Sequence, residues 1–177
     1  MAELPTFLDF EASSLSDRSY PIEVAWNLSD GTVEAHLISP ASIEAWTDWS
    51  AEAEMVHGIA RTRLLAHGES PHSVCDRMNG ELGGRIVYTD APSFDGMWLA
   101  AMFDACRRPV QFELRHIDDL LVKMVCPELP GRTYGLLKID LLKQEARRLK
   151  PRQHRAAWDV EYLIQLWRLA SFDAGHQ

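Results

Sequence analysis

The sequence predicts an α/β domain on a mixed five-stranded sheet flanked by helices, and three observations lead there. Short strand-forming segments crowd the first 39 residues, helical periodicity takes over after Pro40, and two further strand-like segments alternate with helices in the second half. Strands joined by tight polar turns pair antiparallel, whereas strands separated by helices pair parallel, so the two halves together give a mixed sheet.

Residues 4–10, 21–28 and 33–39 are expected to form a three-strand antiparallel meander, with Ser29-Asp30-Gly31 as a hairpin connection. Residues 40–82 read as helical, with interruptions near Gly68 and Pro71, and Gly83-Gly84 closes the region. A fourth strand is expected at 85–89, a helix at 93–106 with Ser93 as N-cap, and a fifth strand at 110–114. Helices near Ile117, at 134–149 and at 155–170 complete the chain.

Bulk properties narrow the function class. With 177 residues and no shift in composition along the chain, residues 1–177 read as one domain. Apolar residues at 46% and charged residues at 25% exclude a disordered, collagen-like or disulfide-scaffold chain. Cys75, Cys106 and Cys126 are odd in number and lack C-x-x-C spacing, so neither a disulfide framework nor a zinc knuckle is expected, and a reducing cytoplasm fits best. The N-terminus has no basic leader, and no run approaches the ~20 apolar residues of a membrane span, so neither export nor a membrane partner is expected. A net charge of -8 argues against coating long nucleic acid, which needs many Lys and Arg phosphate contacts. An enzyme that grips only a strand end remains compatible with that charge, since bound cations can neutralise the few phosphates it touches.

Four acids stand where acids are costly. Asp9 and Glu11 are two apart in the first strand and project from one face, while Phe10 points to the other. The pair repels itself unless a proton or a divalent cation intervenes; an isolated D-x-E also describes a solvated strand end. Asp95 heads a stripe continued by Trp98, Leu99, Met102, Phe103 and Cys106, so it shares the apolar side of its helix. A first-turn acid interacting with the helix dipole accounts for its position but not for that face. Asp159 repeats the pattern with Leu163, Leu166 and Ala170. Buried carboxylates without a partner cost several kcal/mol, so the four acids suggest a shared compensating charge, supplied by two divalent metals. His154 precedes Asp159 by five residues, and both can face one site only if His154 lies on the loop side of the helix start. A histidine placed there suits proton removal from water.

Taken together, Asp9-Phe10-Glu11, Phe94-Asp95 and His154-Arg155-Ala156-Ala157-Trp158-Asp159 resemble the three motifs of the DEDDh family of 3′→5′ exonucleases. The Pro-Ile-Glu-Val-Ala segment at 21–25 and His57-Gly58-Ile59 strengthen the resemblance, which spans nearly the whole chain. It implies a ribonuclease H-like fold, with Asp9, Glu11, Asp95 and Asp159 holding two Mg²⁺ or Mn²⁺ ions and His154 as general base. It also implies a single-stranded nucleic acid 3′ end as partner, hydrolysed to nucleoside 5′-monophosphates, with the backbone near Ala12 and the turn His57, Gly58, Ile59 cradling the terminal nucleotide. For that turn a helix C-cap is the structural alternative. Many relatives carry a His-Asn pair shortly before the central acid, whereas here that stretch reads Tyr88-Thr89-Asp90-Ala91-Pro92-Ser93-Phe94-Asp95, and Asp90 reads as a solvated loop acid. None of the six tryptophans is assigned to substrate. Two other readings stand beside this one: a hydrolase specialised for very short oligonucleotides, and a non-catalytic nucleic-acid or protein-binding module on the same fold. DNA against RNA, a homodimer and attachment to a polymerase are left open by the sequence.

Overall fold

Strand β1 (Thr6–Ala12) lies at the centre of a five-stranded sheet of order β3-β2-β1-β4-β5. The computed structural model describes residues 3–125, 132–151 and 153–174. The expected meander is present: β2 (Pro21–Asn27) pairs antiparallel with β1, and β3 (Val33–Leu37) antiparallel with β2. Its hairpin turns at Gly31, where φ is +89° and the amide donates to Leu28 O at 3.0 Å. On the other side, β4 (Ile86–Thr89) and β5 (Glu113–His116) add in parallel, as strands separated by helices should.

The fifth strand lies further along than the sequence suggests. Asn79 explains the shift: its side-chain amide donates to Pro109 O at 2.8 Å and its Oδ1 accepts from Gln111 N at 3.0 Å. The backbone around Val110 is thereby bonded to a side chain and pairing begins at Glu113. The expected N-cap Ser93 is also displaced. The helix α4 (Pro92–Ala105) starts one residue earlier, with Pro92 in its first turn and Ala91 at the cap. Proline there loses no helical hydrogen bond and brings a preset φ, which fixes the start ahead of Ser93.

Between β3 and β4 the helical stretch resolves into a 3-10 turn at Pro40–Ser42, α1 (Ala51–His57), α2 (Arg61–His67) and α3 (Pro71–Leu82). Three further helices, α5 (Ile117–Val125), α6 (Arg132–Leu149) and α7 (Ala156–Ala174), follow β5. Cys75 and Cys106 are buried free thiols, and Cys126 lies outside the described residues. Among the described residues, no helix is long and apolar enough to cross a membrane.

The two-residue alternation of β1 divides the core. Leu8, Phe10 and Ala12 pack on one side with Met78, Leu99, Met102 and Phe103 of α3 and α4. Phe7 belongs to the other side, with Val160, Leu163 and Leu166 of α7. Asp9 and Glu11 alternate in step with Phe7 and so turn towards α7. The ladder between β1 and β4 runs only through Thr6↔Val87 and Phe7↔Tyr88. Beyond it the strands part, and the two acids emerge at the carboxyl end of β1, where ligands of open α/β sheets sit.

Candidate active site

Asp9 is buried, 8% exposed, on the central strand, and Glu11 next along the same face is half-buried. Asp159 reaches them from the first turn of α7, itself 5% exposed. One carboxylate oxygen from each of Asp9, Glu11 and Asp159 lies within 4.8 Å of the others, a spacing that a single cation can bridge. Asp95, 1% exposed, comes from the first turn of α4. Its Oδ2 accepts the hydroxyl of Thr89, and the neighbouring Phe10 backbone also favours its charged form. Asp95 stands outside the three-acid cluster, but its charge acts on Asp9 directly.

The electrostatics follow from this convergence. Burial, then the charges of Asp95, Asp159, Glu11 and Asp90 in that order, hold the Asp9 carboxyl well above the usual carboxylate range. Burial pushes Asp95 up to about 7, against the opposing hydrogen bond from Thr89. Packed acids that retain protons this strongly are suited to a divalent cation, which removes both the desolvation cost and the mutual repulsion. The donor set is all oxygen, as hard cations such as Mg²⁺ or Mn²⁺ require.

His154 occupies the loop side of the α7 start, as its five-residue spacing from Asp159 demands. It is half-buried, two residues before the helix, with a left-handed backbone, φ +49°. It lines a cleft of about 490 Å³ together with Asp9, Glu11, Ala12 and His57. The His57 turn has the helix C-cap geometry. Gly58 is the C-cap of α1 at φ +68°, a conformation that disfavours side chains, and its amide donates to Glu54 O at 2.8 Å. Ile59 is fully buried in the core, so its side chain is withheld from the cleft, but its amide donates to His57 Nδ1 at 3.0 Å. That bond places the ring proton on Nε2. Burial also pushes His57 down, which favours the neutral ring.

Several site residues were not assigned from sequence. Leu15, Phe94 and Trp98 line the apolar side of the cleft, Phe94 and Trp98 stacking with centroids 5.6 Å apart. Trp98 donates its indole N–H to Ser19 Oγ at 2.9 Å. Asp90, read as a solvated loop acid, is instead half-buried in the cleft, because Arg147 of α6 approaches it at 3.6 Å. Thr89 was noted only as a departure from the family pattern. A buried threonine six residues before a helix-heading acid was the available signal for its role.

No family model and no curated relative matches the sequence. Solved structures do match. Exonuclease I of E. coli in complex with a dT13 oligonucleotide superposes on 97% of this chain with a TM-score of 0.67 at 18% identity. The zinc-bound complex of the same enzyme with single-stranded DNA gives 0.68 at 16% over 96%. The chain has the exonuclease I fold. A moderately thermophilic exonuclease I from Methylocaldum szegediense agrees, with a TM-score of 0.64 and 19% identity over 94% of the chain. This is the ribonuclease H-like architecture that the motifs imply. The chain spans only about two-fifths of the length of these exonuclease I structures, 41 to 42%.

Proposed function

We propose that the chain is a metal-dependent 3′→5′ exonuclease of the DEDDh type, acting on single-stranded nucleic acid and releasing nucleoside 5′-monophosphates. The observation that carries this reading is the meeting of Asp9, Glu11 and Asp159 within 4.8 Å, with Asp95 and His154 lining one cleft with Asp9 and Glu11. A non-catalytic module has no use for repelling, buried acids and a histidine held in the same place.

In this reading Asp9, Glu11, Asp95 and Asp159 hold two Mg²⁺ or Mn²⁺ ions, which when bound acidify the attacking water and stabilise charge on the leaving 3′-oxygen. His154 accepts the proton of that water. His57 offers Nε2–H to the terminal nucleotide, Ala12 approaches it with its backbone, and Gly58 and Ile59 act by fixing His57. The apolar wall of Leu15, Phe94 and Trp98 suits the face of a base. Residues 1–177 are taken as one exonuclease domain working in the cytoplasm.

The test is hydrolysis of 5′-end-labelled single-stranded DNA and RNA by purified protein. Progressive shortening in Mg²⁺ or Mn²⁺, stopped by EDTA, is expected. Cutting that survives excess EDTA, or immediate internal cleavage, overturns the reading.

A preference for very short oligonucleotides has its own support. Among the described residues the cleft lining includes Glu52 and Asp90 besides Asp9, Glu11 and Asp95 and no Lys or Arg, so little attracts a long phosphate chain. A series of substrate lengths decides it: kcat/KM that falls with length favours this reading, and kcat/KM that rises with length excludes it.

A further inference from the structure

Glu23 lies in the middle of β2, 2% exposed, among apolar neighbours. A carboxylate there is costly unless it is fully bonded. It is: Arg155 Nη2 donates to Oε1 at 2.5 Å, Arg155 Nε to Oε2 at 3.0 Å, and the Ala156 amide to Oε2 at 3.1 Å. Glu23 thus receives a two-pronged guanidinium and also caps the first free N–H of α7, from another element of the fold. These bonds lie on the two residues immediately after His154. Glu23 is also the cross-strand partner of Glu11, so one buried carboxylate ties the start of α7 to the strand that carries Asp9 and Glu11.

His154 needs such a tie. Its backbone is left-handed without being glycine, a conformation that persists only where the surroundings impose it. The Arg155 carbonyl accepts the amides of Trp158 and Asp159 at 2.8 and 3.1 Å, so the first helical turn grows from the residue that Glu23 grips. A chain pinned at Arg155 and Ala156 leaves His154 little freedom other than the turn that faces the cleft.

We propose that Glu23 is a positioning residue for His154: it touches neither substrate nor reacting atoms and sets where the histidine stands through Arg155 and the Ala156 amide. This rests on the function proposed above, and its test separates the two. Glu23→Gln keeps the volume and removes the charge. It is expected to lower kcat roughly 10- to 100-fold, the range for partners that orient reactive groups, with KM little changed. In a His154→Ala background the same substitution should cost almost nothing further, because the residue through which it acts is gone. An equal loss in both backgrounds, or full turnover in Glu23→Gln alone, overturns the proposal.

A second readout needs neither metal nor activity. In the metal-free protein, Glu23→Gln should shift and broaden the His154 imidazole resonances and speed hydrogen exchange at the Ala156 amide, leaving those of His36 in place. Unchanged His154 resonances overturn the proposal even if the enzyme is active. Displaced resonances in a protein without nuclease activity uphold it and remove the function instead. If Glu23→Gln does not fold, Arg155→Gln breaks the same link from its more exposed end, with the same outcomes.

Discussion

The Thr89 hydroxyl donates to Oδ2 of Asp95, joining the end of β4 to the first turn of α4. Thr89 Oγ1 in turn accepts the Ala91 amide at 3.1 Å, so Thr89 orients both the acid and the turn that leads to it. Thr89→Val keeps the shape and removes both bonds. It should cost about 1–3 kcal/mol of stability, as buried polar groups left unpaired do. It should also weaken metal-induced stabilisation, because the hydrogen bond favours the charged form of Asp95. Thermal melts with and without Mg²⁺ check this; equal metal response in the two proteins limits Thr89 to a structural part.

The raised acids fix the direction of pH dependence. Asp95 titrates near 7 when folded but near the ordinary ~4 when unfolded, so between those values the folded state binds more protons. Stability of the metal-free protein should therefore fall as pH rises from about 4 to 7, with Asp9 adding in the same direction. The gain in melting temperature from Mg²⁺ should grow over the same window, since the ion replaces the retained protons. A metal-free protein whose stability rises steadily through this range contradicts the assignment.

Neutralising one acid should relieve repulsion. Asp9→Asn or Asp95→Asn is expected to abolish hydrolysis without lowering the metal-free melting temperature much. Added Mg²⁺ should stabilise the wild type more than either variant. Identical metal stabilisation of all three proteins means these acids are not ligands.

In the proposed function His154 and Asp159 share a motif but not a role. His154→Ala should lower turnover roughly 10²- to 10⁴-fold with metal affinity retained, and recover part of its rate at high pH as hydroxide replaces the base. Asp159→Asn should weaken metal binding itself. Unchanged turnover in His154→Ala makes the histidine a bystander.

Charge at the cleft lip should govern substrate grip. Asp90 stands beside Arg147 and adds to the potential at Asp9 and Asp95. Asp90→Asn frees Arg147 for phosphate, so KM for single strands should fall and become more salt-dependent. A KM indifferent to both changes removes Asp90 from the substrate path.

The fold was legible where periodicity is strong. The alternation of β1 places Phe10 opposite Asp9 and Glu11, and the stripes of α4 and α7 carry Asp95 and Asp159 to the buried side, as their spacing requires. Side chains that bond to distant backbone were not legible. Asn79 moves β5 across 32 residues of sequence, and Glu23 meets Arg155 across 132. No local pattern encodes such a partner, although a glutamate inside an apolar strand signals that one exists. Asp90 was misjudged for the same reason, its cation arriving from α6.

The link from β2 to α7 also sets an order of events during synthesis. Arg155 follows Glu23 by 132 residues, so the first strands are made well before their counterpart and wait for it while the intervening chain is translated. A nascent chain stopped before residue 154 carries Asp9, Glu11 and Asp95 but lacks Asp159, the histidine and the arginine that tethers it. The acids and the histidine are therefore brought together only once α7 is made and Arg155 has met Glu23 on β2.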